Sequence, residues 1–287
     1  MQDLKGRIAL ITGGASGIGL AMAHRFAREG MRLVLADVEG GALEKASAEI
    51  LSGGTEVLSV LADVGDPDQM DQLAARVREE FGPIQIACLN AGVSGGGGPI
   101  ETLTTEDWAW GIHVNLWGVI HGLRVFLSDM KARDAGHIVI TSSIAGLTCF
   151  PSAGPYHATK HAVAGIAETL YHELAEAGSK VGVSCLCPGL VSTNFPTGDR
   201  NRPASLLNPT DPNVTEEQIA TLRKAVGDVF ARGATPEHVA DCVFEAIAAG
   251  RFWIYTDSIH EKLIRDRHRA IEAGKNPPQG AGALDGY

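Results

Sequence analysis

Tyr156 and Lys160 are the two residues of this sequence whose types and spacing most directly suggest chemistry. They lie four positions apart in SAGPYHATKHAVAG, behind Pro155 and at the start of an apolar-periodic run that predicts a helix. Residues i and i+4 of a helix lie one above the other, so the Lys160 ammonium is expected near the Tyr156 phenol. The pair suggests a phenol that exchanges a proton, although the same spacing also occurs by chance on solvated helix faces.

A phenol that acts near neutral pH must be strongly perturbed. An ordinary tyrosine has a pKa of about 10, so its ionisation near neutrality requires the phenolate to be stabilised by about 4 kcal/mol. The Lys160 ammonium and the positive end of the helix would supply part of this, and a second cation beside the phenol would supply more. Lys160 is therefore expected to act together with another positive charge.

Two further polar residues are expected near this pair. Ser143 ends the run HIVITSS, 13 residues before Tyr156, and its hydroxyl could hydrogen-bond a substrate oxygen while Tyr156 moves the proton. Ser142 should point elsewhere, because successive strand residues alternate between faces. Asn115 lies inside a predicted helix although asparagine is a poor helix former, which suggests that it holds a water connecting Lys160 to solvent. A capping or core-polar role for Asn115 stays open.

A glycine-rich turn follows the first predicted strand. In TGGASGIG, residues 12–19, the glycines separate that strand from a helix that begins near Ile18. Glycines permit a tight turn and let the backbone approach a pyrophosphate, which the free N–H groups and the positive end of the helix attract. The turn therefore predicts dinucleotide binding. The expected contacts are Gly13, Ser16, Gly17, Ile18 and Gly19.

Asp37 predicts which dinucleotide is bound. It ends the second predicted strand, 18 residues after Gly19, where a carboxylate accepts hydrogen bonds from the free ribose 2′-OH of NAD and repels the 2′-phosphate of NADP. Its neighbours Val38 and Glu39 supply no compensating cation, and neither does Ala15 in the glycine turn. NAD is therefore predicted, and a helix N-cap is the alternative role for Asp37.

The ends of the third and fourth predicted strands fit the same cofactor. Asp63 and Val64 follow the third strand, within reach of an adenine ring. Asn90, Ala91 and Gly92 follow the fourth, where small residues admit a ribose. Ligands of open α/β sheets bind at the carboxyl ends of strands, and all of these candidates lie at such ends.

Short β-branched runs alternate with longer helical patterns along the chain. Strands are predicted at 7–12, 32–37, 56–63, 84–90, 137–143, 180–187 and 252–257, and helices near 18–29, 41–52, 67–81, 105–131, 156–178 and 235–249. Several strands are almost wholly apolar, as expected of a parallel sheet with helices on both faces. The alternation predicts a single-domain, doubly wound (Rossmann) α/β fold with a seven-stranded parallel sheet. That domain should span residues 1–260, with a substrate loop at 192–232, followed by a polar helix and a flexible tail at 261–287.

The motifs together resemble those of the short-chain dehydrogenase/reductase family in its common single-domain form. Over residues 5–257 they occur in order: TGGASGIG, NAG at 90–92, Asn115, the serines at 142–143, YHATK and PGLVST at 188–193. The resemblance implies a tetrad. In it Tyr156 is the acid–base residue and Ser143 orients the substrate oxygen. Lys160 binds the nicotinamide ribose and lowers the pKa of Tyr156, and Asn115 maintains a proton relay.

The resemblance has two further implications. The main chain of Val191 and the side chain of Thr193 should contact the nicotinamide carboxamide. The oxidised nicotinamide ring would then be the second cation near Tyr156. Relatives usually form tetramers or dimers through the helices that correspond to 105–131 and 156–178, so a homo-oligomer is expected.

Composition narrows the classes of partner. The net charge is −10 and no dense Lys/Arg stretch occurs in the first 250 residues, which disfavours nucleic acid. The N-terminal apolar run is short and no other stretch is long enough to cross a bilayer, so a cytoplasmic protein without a membrane partner is expected. The five cysteines are loosely spaced and should be small buried hydrophobes in a reducing compartment. The histidines, including His157 and His161, should pack or lie on the surface, and no metal is predicted.

The sequence thus predicts an NAD-dependent oxidoreductase that interconverts a secondary alcohol and a ketone. The candidate pocket wall is mostly apolar, which favours a hydrophobic or aromatic substrate; it comprises 94–98, Leu147, Cys149, Phe150, Pro151, Leu190 and Phe195. Two alternatives stay open: an NADPH-dependent ketoreductase and a non-catalytic dinucleotide-sensing protein. The intact tetrad argues against the second.

Overall fold

Seven parallel strands form one sheet in a computed structural model that describes residues 4–209 and 215–278. In chain order the strands are β1 Ile8–Thr12, β2 Arg32–Asp37, β3 Val57–Leu61, β4 Ile86–Leu89, β5 His137–Thr141, β6 Gly182–Cys187 and β7 Trp253–Tyr255. Their order in the sheet is β3-β2-β1-β4-β5-β6-β7. The direction of strand succession reverses between β1 and β4, so the cleft for a ligand opens there.

The described residues contain nine α-helices. They are α1 Gly17–Arg28, α2 Gly40–Ser52, α3 Pro67–Glu80, α4 Thr105–Gly111, α5 Gly118–Ala132, α6 Gly154–Glu176, α7 Glu216–Phe230, α8 Pro236–Ala249 and α9 Glu261–Glu272. The first, second and eighth cover one face of the sheet, and the third, fifth and sixth cover the other. This confirms the predicted doubly wound fold.

The central strands are buried on both faces, as their apolar runs predicted. Every residue of β1 and β4 is buried. Leu10 packs into the core under α3, α5 and α6, whereas its neighbour Ile11 packs under α1, α2 and α8. The strands begin and end within two residues of the predicted bounds.

The predicted continuous helix over 105–131 is wrong in one respect. A π-helical segment, Ile112–Trp117, separates α4 from α5. Asn115 lies in this segment, and its amide pairs with the main chain of Val93 instead of facing solvent. A π segment inserts an extra residue into a helix and often marks a functional site.

The predicted substrate loop is an irregular lid, defined here as residues 192–209. It contains short 3₁₀ turns at Phe195–Asn201 and Ala204–Leu206, and α7 continues the predicted loop region beyond it. Arg202 anchors the lid through an ion pair with Asp107 at 2.7 Å, in which both side chains are buried. The predicted polar helix after 260 is α9, and residues 279–287 of the predicted tail lie outside the described part.

Acid should destabilise the fold through His137, a buried residue of β5. Its Nε2 lies 2.8 Å from Ser184 Oγ, which donates its own proton to the Arg251 carbonyl, so His137 is the donor. Burial lowers the pKa of His137 to about 4. The unfolded chain, with a histidine pKa of about 6.5, binds a proton before the folded chain does. Stability is therefore fully present above pH 6.5 and falls as the pH drops towards 4.

We expect His137 to account for a loss of about 2 kcal/mol in the free energy of unfolding between pH 7 and pH 5. Urea unfolding of wild type and His137→Gln at both pH values measures this. The variant should be less stable at pH 7 but should lose less on acidification. Equal losses in both proteins would show that His137 is not the titrating group.

Candidate active site

Tyr156 and Lys160 lie together in the first turns of α6, at the carboxyl edge of the sheet. Lys160 Nζ is 5.6 Å from the centroid of the Tyr156 ring. The same ammonium donates a hydrogen bond to the carbonyl of Thr141, the last residue of β5, at 2.8 Å. Lys160 is only 2% exposed. The structure therefore brings the pair together, and the Thr141 carbonyl at the end of β5 holds the Lys160 ammonium in place.

Burial sets the resting protonation of both groups. It raises the pKa of Tyr156 to about 12, and a hydrogen bond with Ser143 opposes this effect. Burial also lowers the pKa of Lys160 to about 8. At neutral pH the Tyr156 phenol is thus neutral and lies beside the Lys160 ammonium. The Lys160 ammonium alone therefore does not ionise the Tyr156 phenol at neutral pH.

The two serines after β5 have different partners, as the alternation of strand residues predicted. Ser143 contacts the Tyr156 phenol and accepts a hydrogen bond from the Ala145 N–H at 3.1 Å. Ser142 instead donates to the Lys160 carbonyl at 2.8 Å. Ser143 is thus placed to share a substrate oxygen with Tyr156, whereas Ser142 braces α6 against the sheet.

Asn115 is buried in the π-helical segment and its amide is fully engaged. Its Oδ1 accepts from the Val93 N–H, and its Nδ2 donates to the Val93 carbonyl and to Thr159 Oγ1. A Cβ placed on Gly92 would lie 3.3 Å from Asn115 Oδ1 and 3.4 Å from Lys160 Nζ. Asn115 therefore holds the β4 exit loop close to the lysine. These hydrogen bonds fit the core-polar alternative, and a water relay stays a prediction.

The turn between β1 and α1 has the geometry of an anion cradle. Gly13 and Gly17 have φ values of +65° and +53°, which side chains with a Cβ rarely adopt. A Cβ on Gly19 would lie 2.0 Å from the Gly13 carbonyl oxygen. Among the described residues no side chain caps the start of α1, where Ser16 is the N-cap, so its first N–H groups are available to an anion. The cradle fits a dinucleotide pyrophosphate.

Asp37 closes the cradle at the end of β2. Its carboxylate accepts hydrogen bonds from the N–H groups of Ala15 and Glu39, each at 3.0 Å. Burial raises the pKa of Asp37, and these backbone donors oppose the rise. Its sequence neighbours Val38 and Glu39 carry no positive charge, but the lid brings Arg200 onto Glu39, whose pKa this guanidinium lowers. Arg200 was not predicted to lie near Asp37, because 161 residues separate it from Glu39.

The remaining predicted contacts lie along the same edge. Asp63 Oδ2 is 3.0 Å from Nε2 of His113, a residue of the π segment that sequence analysis did not connect with this site. The hydrogen bond lowers the pKa of Asp63 and raises that of His113. Asn90 links β1 to β5, since its amide donates to the Thr12 carbonyl and accepts from Thr141 Oγ1.

Close approaches join the other candidates to the glycine turn. A Cβ on Gly13 would lie 3.0 Å from the Ala91 Cα, and one on Gly17 would lie 3.2 Å from the Thr193 Cγ2. Val191 pairs with Ala234 in an isolated parallel bridge, which fixes the chain just before Thr193. The structure therefore gathers these residues around one cleft at the β1/β4 switch point.

The cysteines differ from the prediction that they are all buried. Cys88, Cys185 and Cys187 are buried, but Cys149 is exposed and Cys242 is half-buried. Cys149 precedes α6 in a solvent-facing loop that no strand or helix pattern covers, and Cys242 lies towards the outside of α8. Cys185 and Cys187 share one face of β6, with their sulfurs 3.7 Å apart, as their spacing predicted.

The parallel sheet with its glycine cradle at the switch point defines a dinucleotide-binding α/β protein. A family model described as short chain dehydrogenase matches residues 7–203. The chain therefore belongs to the short-chain dehydrogenase/reductase family, an oxidoreductase family, which confirms the resemblance drawn from the motifs. Across the described residues, no helix combines the length and the apolar character needed to cross a membrane.

Similar proteins cover nearly the whole chain. A 1-deoxy-11-beta-hydroxypentalenate dehydrogenase of Streptomyces arenae is 34% identical over 265 residues, 91% of this chain and 86% of the relative. A C alpha-dehydrogenase of Sphingobium sp. (strain NBRC 103272 / SYK-6) is 34% identical, covering 88% and 81%. A short chain dehydrogenase/reductase from Burkholderia phymatum, solved in complex with NAD, is 42% identical with a TM-score of 0.92, covering 98% of this chain and 100% of that one.

Proposed function

We propose that this chain is an NAD-dependent oxidoreductase that interconverts a secondary alcohol and a ketone, with Tyr156 as the acid–base residue. The observation that carries the proposal is the joint placement of three groups. The Lys160 ammonium lies 5.6 Å from the Tyr156 ring, and the Ser143 hydroxyl lies close enough to the same phenol to lower its pKa, at the edge where the glycine cradle opens. Two relatives are named dehydrogenases, and the name of one of them refers to a hydroxylated acid. These names support action on a hydroxyl group.

The residues have distinct tasks in this mechanism. NAD, when bound, supplies the hydride acceptor and a positive charge beside the phenol. Tyr156 and Ser143 hydrogen-bond the alcohol oxygen, and Tyr156, once it has lost its own proton through the relay to solvent, accepts the alcohol proton as a phenolate while the carbinol C–H bond breaks. In the reverse direction Tyr156 returns that proton to the ketone oxygen. Lys160 binds the nicotinamide ribose and lowers the pKa of Tyr156, while Asn115 keeps the loop after β4 in place and maintains a proton relay.

The cofactor is proposed to lie along the carboxyl edge of the sheet. The residues proposed to hold it are Gly13, Ser16, Gly17, Ile18, Gly19, Asp37, Asp63, Val64, Asn90, Ala91, Gly92, Tyr156, Lys160, Val191 and Thr193. The NAD complex of the Burkholderia phymatum structure supports NAD.

The substrate is proposed to be hydrophobic or aromatic. The Phe195 ring, carried by the lid, lies 5.6 Å from the Tyr156 ring, and Phe230 of α7 stacks on Phe195 at 6.2 Å. An apolar molecule bound beside the phenol would cover these rings and exclude water.

A homo-oligomer is also proposed, because Trp117 and Tyr171 expose large aromatic rings on the two helical regions where relatives associate.

An activity screen tests the proposal. Bulky aromatic and alicyclic secondary alcohols are offered with NAD, beside small charged hydroxy acids, while the absorbance of the reduced nicotinamide is followed. Turnover of the bulky alcohols is expected. Turnover of only the hydroxy acids would contradict the substrate class. NAD binding without any turnover would favour the dinucleotide-sensing alternative.

The preference for NAD should depend on Asp37. Asp37→Ser removes the carboxylate that repels a 2′-phosphate, so we expect the ratio of kcat/KM for NAD to that for NADP to fall roughly 100-fold. Glu39→Gln is the informative partner variant, because it frees Arg200 from its ion pair and leaves Asp37 in place. It should improve NADP use by a smaller factor. An unchanged ratio in Asp37→Ser, or a wild type that prefers NADPH, would support the ketoreductase alternative.

A further inference from the structure

Cys149, His157 and His161 form a three-residue cluster at the start of α6, where the preceding loop packs against the helix. The sulfur of Cys149 and one ring nitrogen of each histidine all lie within 4.8 Å of one another. His157 and His161 are one helical turn apart, so their rings lie side by side, and the loop before α6 lays Cys149 against them. The cluster joins residues that the sequence separates by 12 positions. The proposed proton transfer uses none of them, although Cys149 was also predicted to line the substrate pocket.

Both imidazoles are held in the tautomer that metal binding requires. Nδ1 of His157 lies 2.8 Å from the Ala145 carbonyl, and Nδ1 of His161 lies 2.9 Å from the His157 carbonyl. A carbonyl only accepts hydrogen bonds, so each Nδ1 carries the proton and each neutral Nε2 presents a lone pair. Hydrogen bonds from the distal nitrogen to a main-chain carbonyl are the usual support of a metal-bound histidine.

We propose that Cys149, His157 and His161 bind a borderline-soft divalent ion, Zn²⁺ being the best match. One thiolate and two imidazole nitrogens are ligands that Zn²⁺ prefers, in a tetrahedron whose fourth position is left to water. Tetrahedral coordination places such ligand atoms about 3.3–3.6 Å apart. Cys149 Sγ lies 4.0 Å from His161 Nε2, so a small movement of an exposed side chain closes the site. This departs from the prediction that the chain binds no metal.

Two features oppose the ion. The Phe150 N–H donates a hydrogen bond to His157 Nε2 at 3.1 Å. When a metal ion binds that lone pair, the N–H must donate to a water molecule instead. Phe150 lies in the solvent-facing stretch 149–152, so water can replace the lost partner. The Arg267 guanidinium of α9 lies close enough to lower the pKa of His161 and repels a cation. The Cys149 thiolate offsets that repulsion once it loses its proton to the solvent on binding.

Cobalt titration of the purified, chelator-treated protein tests the site. Co²⁺ should bind once per chain and give a near-ultraviolet thiolate-to-cobalt charge-transfer band, and Zn²⁺ should displace it. Cys149→Ser should remove the band and weaken Zn²⁺ about 100-fold or more, and His161→Gln should weaken Zn²⁺ at least about tenfold. Both altered side chains reach solvent, so folding should persist, and the circular dichroism spectrum confirms this. His157 is buried and is left unchanged.

Cys242→Ser is the matched control. Cys242 also lies beside an imidazole, with Sγ 3.6 Å from His238 Nε2, but no third ligand completes a cluster there among the described residues. This variant should keep the band and the wild-type affinity. The proposal is overturned if the wild type binds neither ion, if Cys149→Ser and His161→Gln bind as wild type does, or if the band depends on Cys242.

The test does not depend on turnover. Tyr156→Phe should bind Zn²⁺ as tightly as wild type, so a failed activity screen leaves the metal assignment standing, and a failed titration leaves the proposed function standing. One consequence does rest on the proposed function. His157 directly follows Tyr156, so Zn²⁺ would immobilise the turn that carries the acid–base residue, and it should inhibit wild type but not Cys149→Ser.

Discussion

Tyr156→Phe should lower kcat by about 10²–10⁴-fold, the usual contribution of a general acid–base group. The substitution removes only the phenolic oxygen, so the ring still packs at 5.6 Å from Phe195 and the cavity keeps its shape. Without the oxygen, the alcohol proton has no acceptor positioned at the carbinol. Steady-state rates, with NAD affinity measured separately by fluorescence quenching, check this. The affinity should stay within a few-fold of wild type.

Tyr171→Phe is the control for that loss. Tyr171 lies on the same helix but is 44% exposed, and its ring packs against Phe252, away from the cleft. It should turn over like wild type. A Tyr156→Phe enzyme that keeps near-wild-type turnover would remove the phenol from the mechanism, whatever the control does.

Lys160→Met should lower kcat/KM by about 10²–10³-fold, the range seen when one preorganised electrostatic group is removed from an active site. Burial already raises the pKa of Tyr156 to about 12, so losing the nearest cation makes the phenolate still less accessible. The substitution also removes the proposed ribose contact, so the KM for NAD should rise together with the fall in kcat.

The pH profile separates this role from a structural one. Burial lowers the pKa of Lys160 to about 8. The wild-type rate should therefore fall as the pH rises through that range and the ammonium loses its proton. Lys160→Met should lack this inflection, and Lys160→Arg, which keeps a charge at all working pH values, should recover part of the rate. A Lys160→Met profile that matches wild type in shape would show that the ammonium does not tune the phenol.

Much of the candidate site could be predicted because a parallel sheet gathers the ends of its strands. Ser143 lies two residues beyond the end of β5, and the α-helix that follows carries Tyr156, so two local patterns sufficed to place them together. Asp37 and the glycine turn were predictable for the same reason, since β1 and β2 are neighbours in the sheet. The burial period of the strands and their order in the sheet therefore determine where these site residues lie.

The contacts that were not predicted come from loop segments, whose sequences lack a hydrophobic periodicity. Arg202 reaches Asp107 across 95 residues, and Arg200 reaches Glu39, because an irregular lid folds back over the cleft. The sequence around each arginine does not indicate which residue it pairs with. Cys149 was taken for a buried hydrophobe because its loop has no pattern. Its spacing to the two histidines, C-x7-H-x3-H, was the available signal, but only the turn before α6 shows that they meet.

The π-helical segment was likewise not visible in the sequence. The apolar pattern over 105–131 continues through it, and a single asparagine is compatible with a regular helix. The hydrogen bonds of Asn115 with Val93, a residue of the β4 exit loop, coincide with the extra residue in the turn. Tertiary pairing overrides local helical preference here.

Isotope transfer in a single turnover tests the central claim most directly. A secondary alcohol that the screen identifies is labelled with deuterium on its carbinol carbon and mixed with enzyme and NAD. The account predicts that the label moves to the reduced nicotinamide, at a rate that falls in Tyr156→Phe and not in Tyr171→Phe. Label that stays on the alcohol or passes to water, or that transfers equally fast without the Tyr156 hydroxyl, would contradict it.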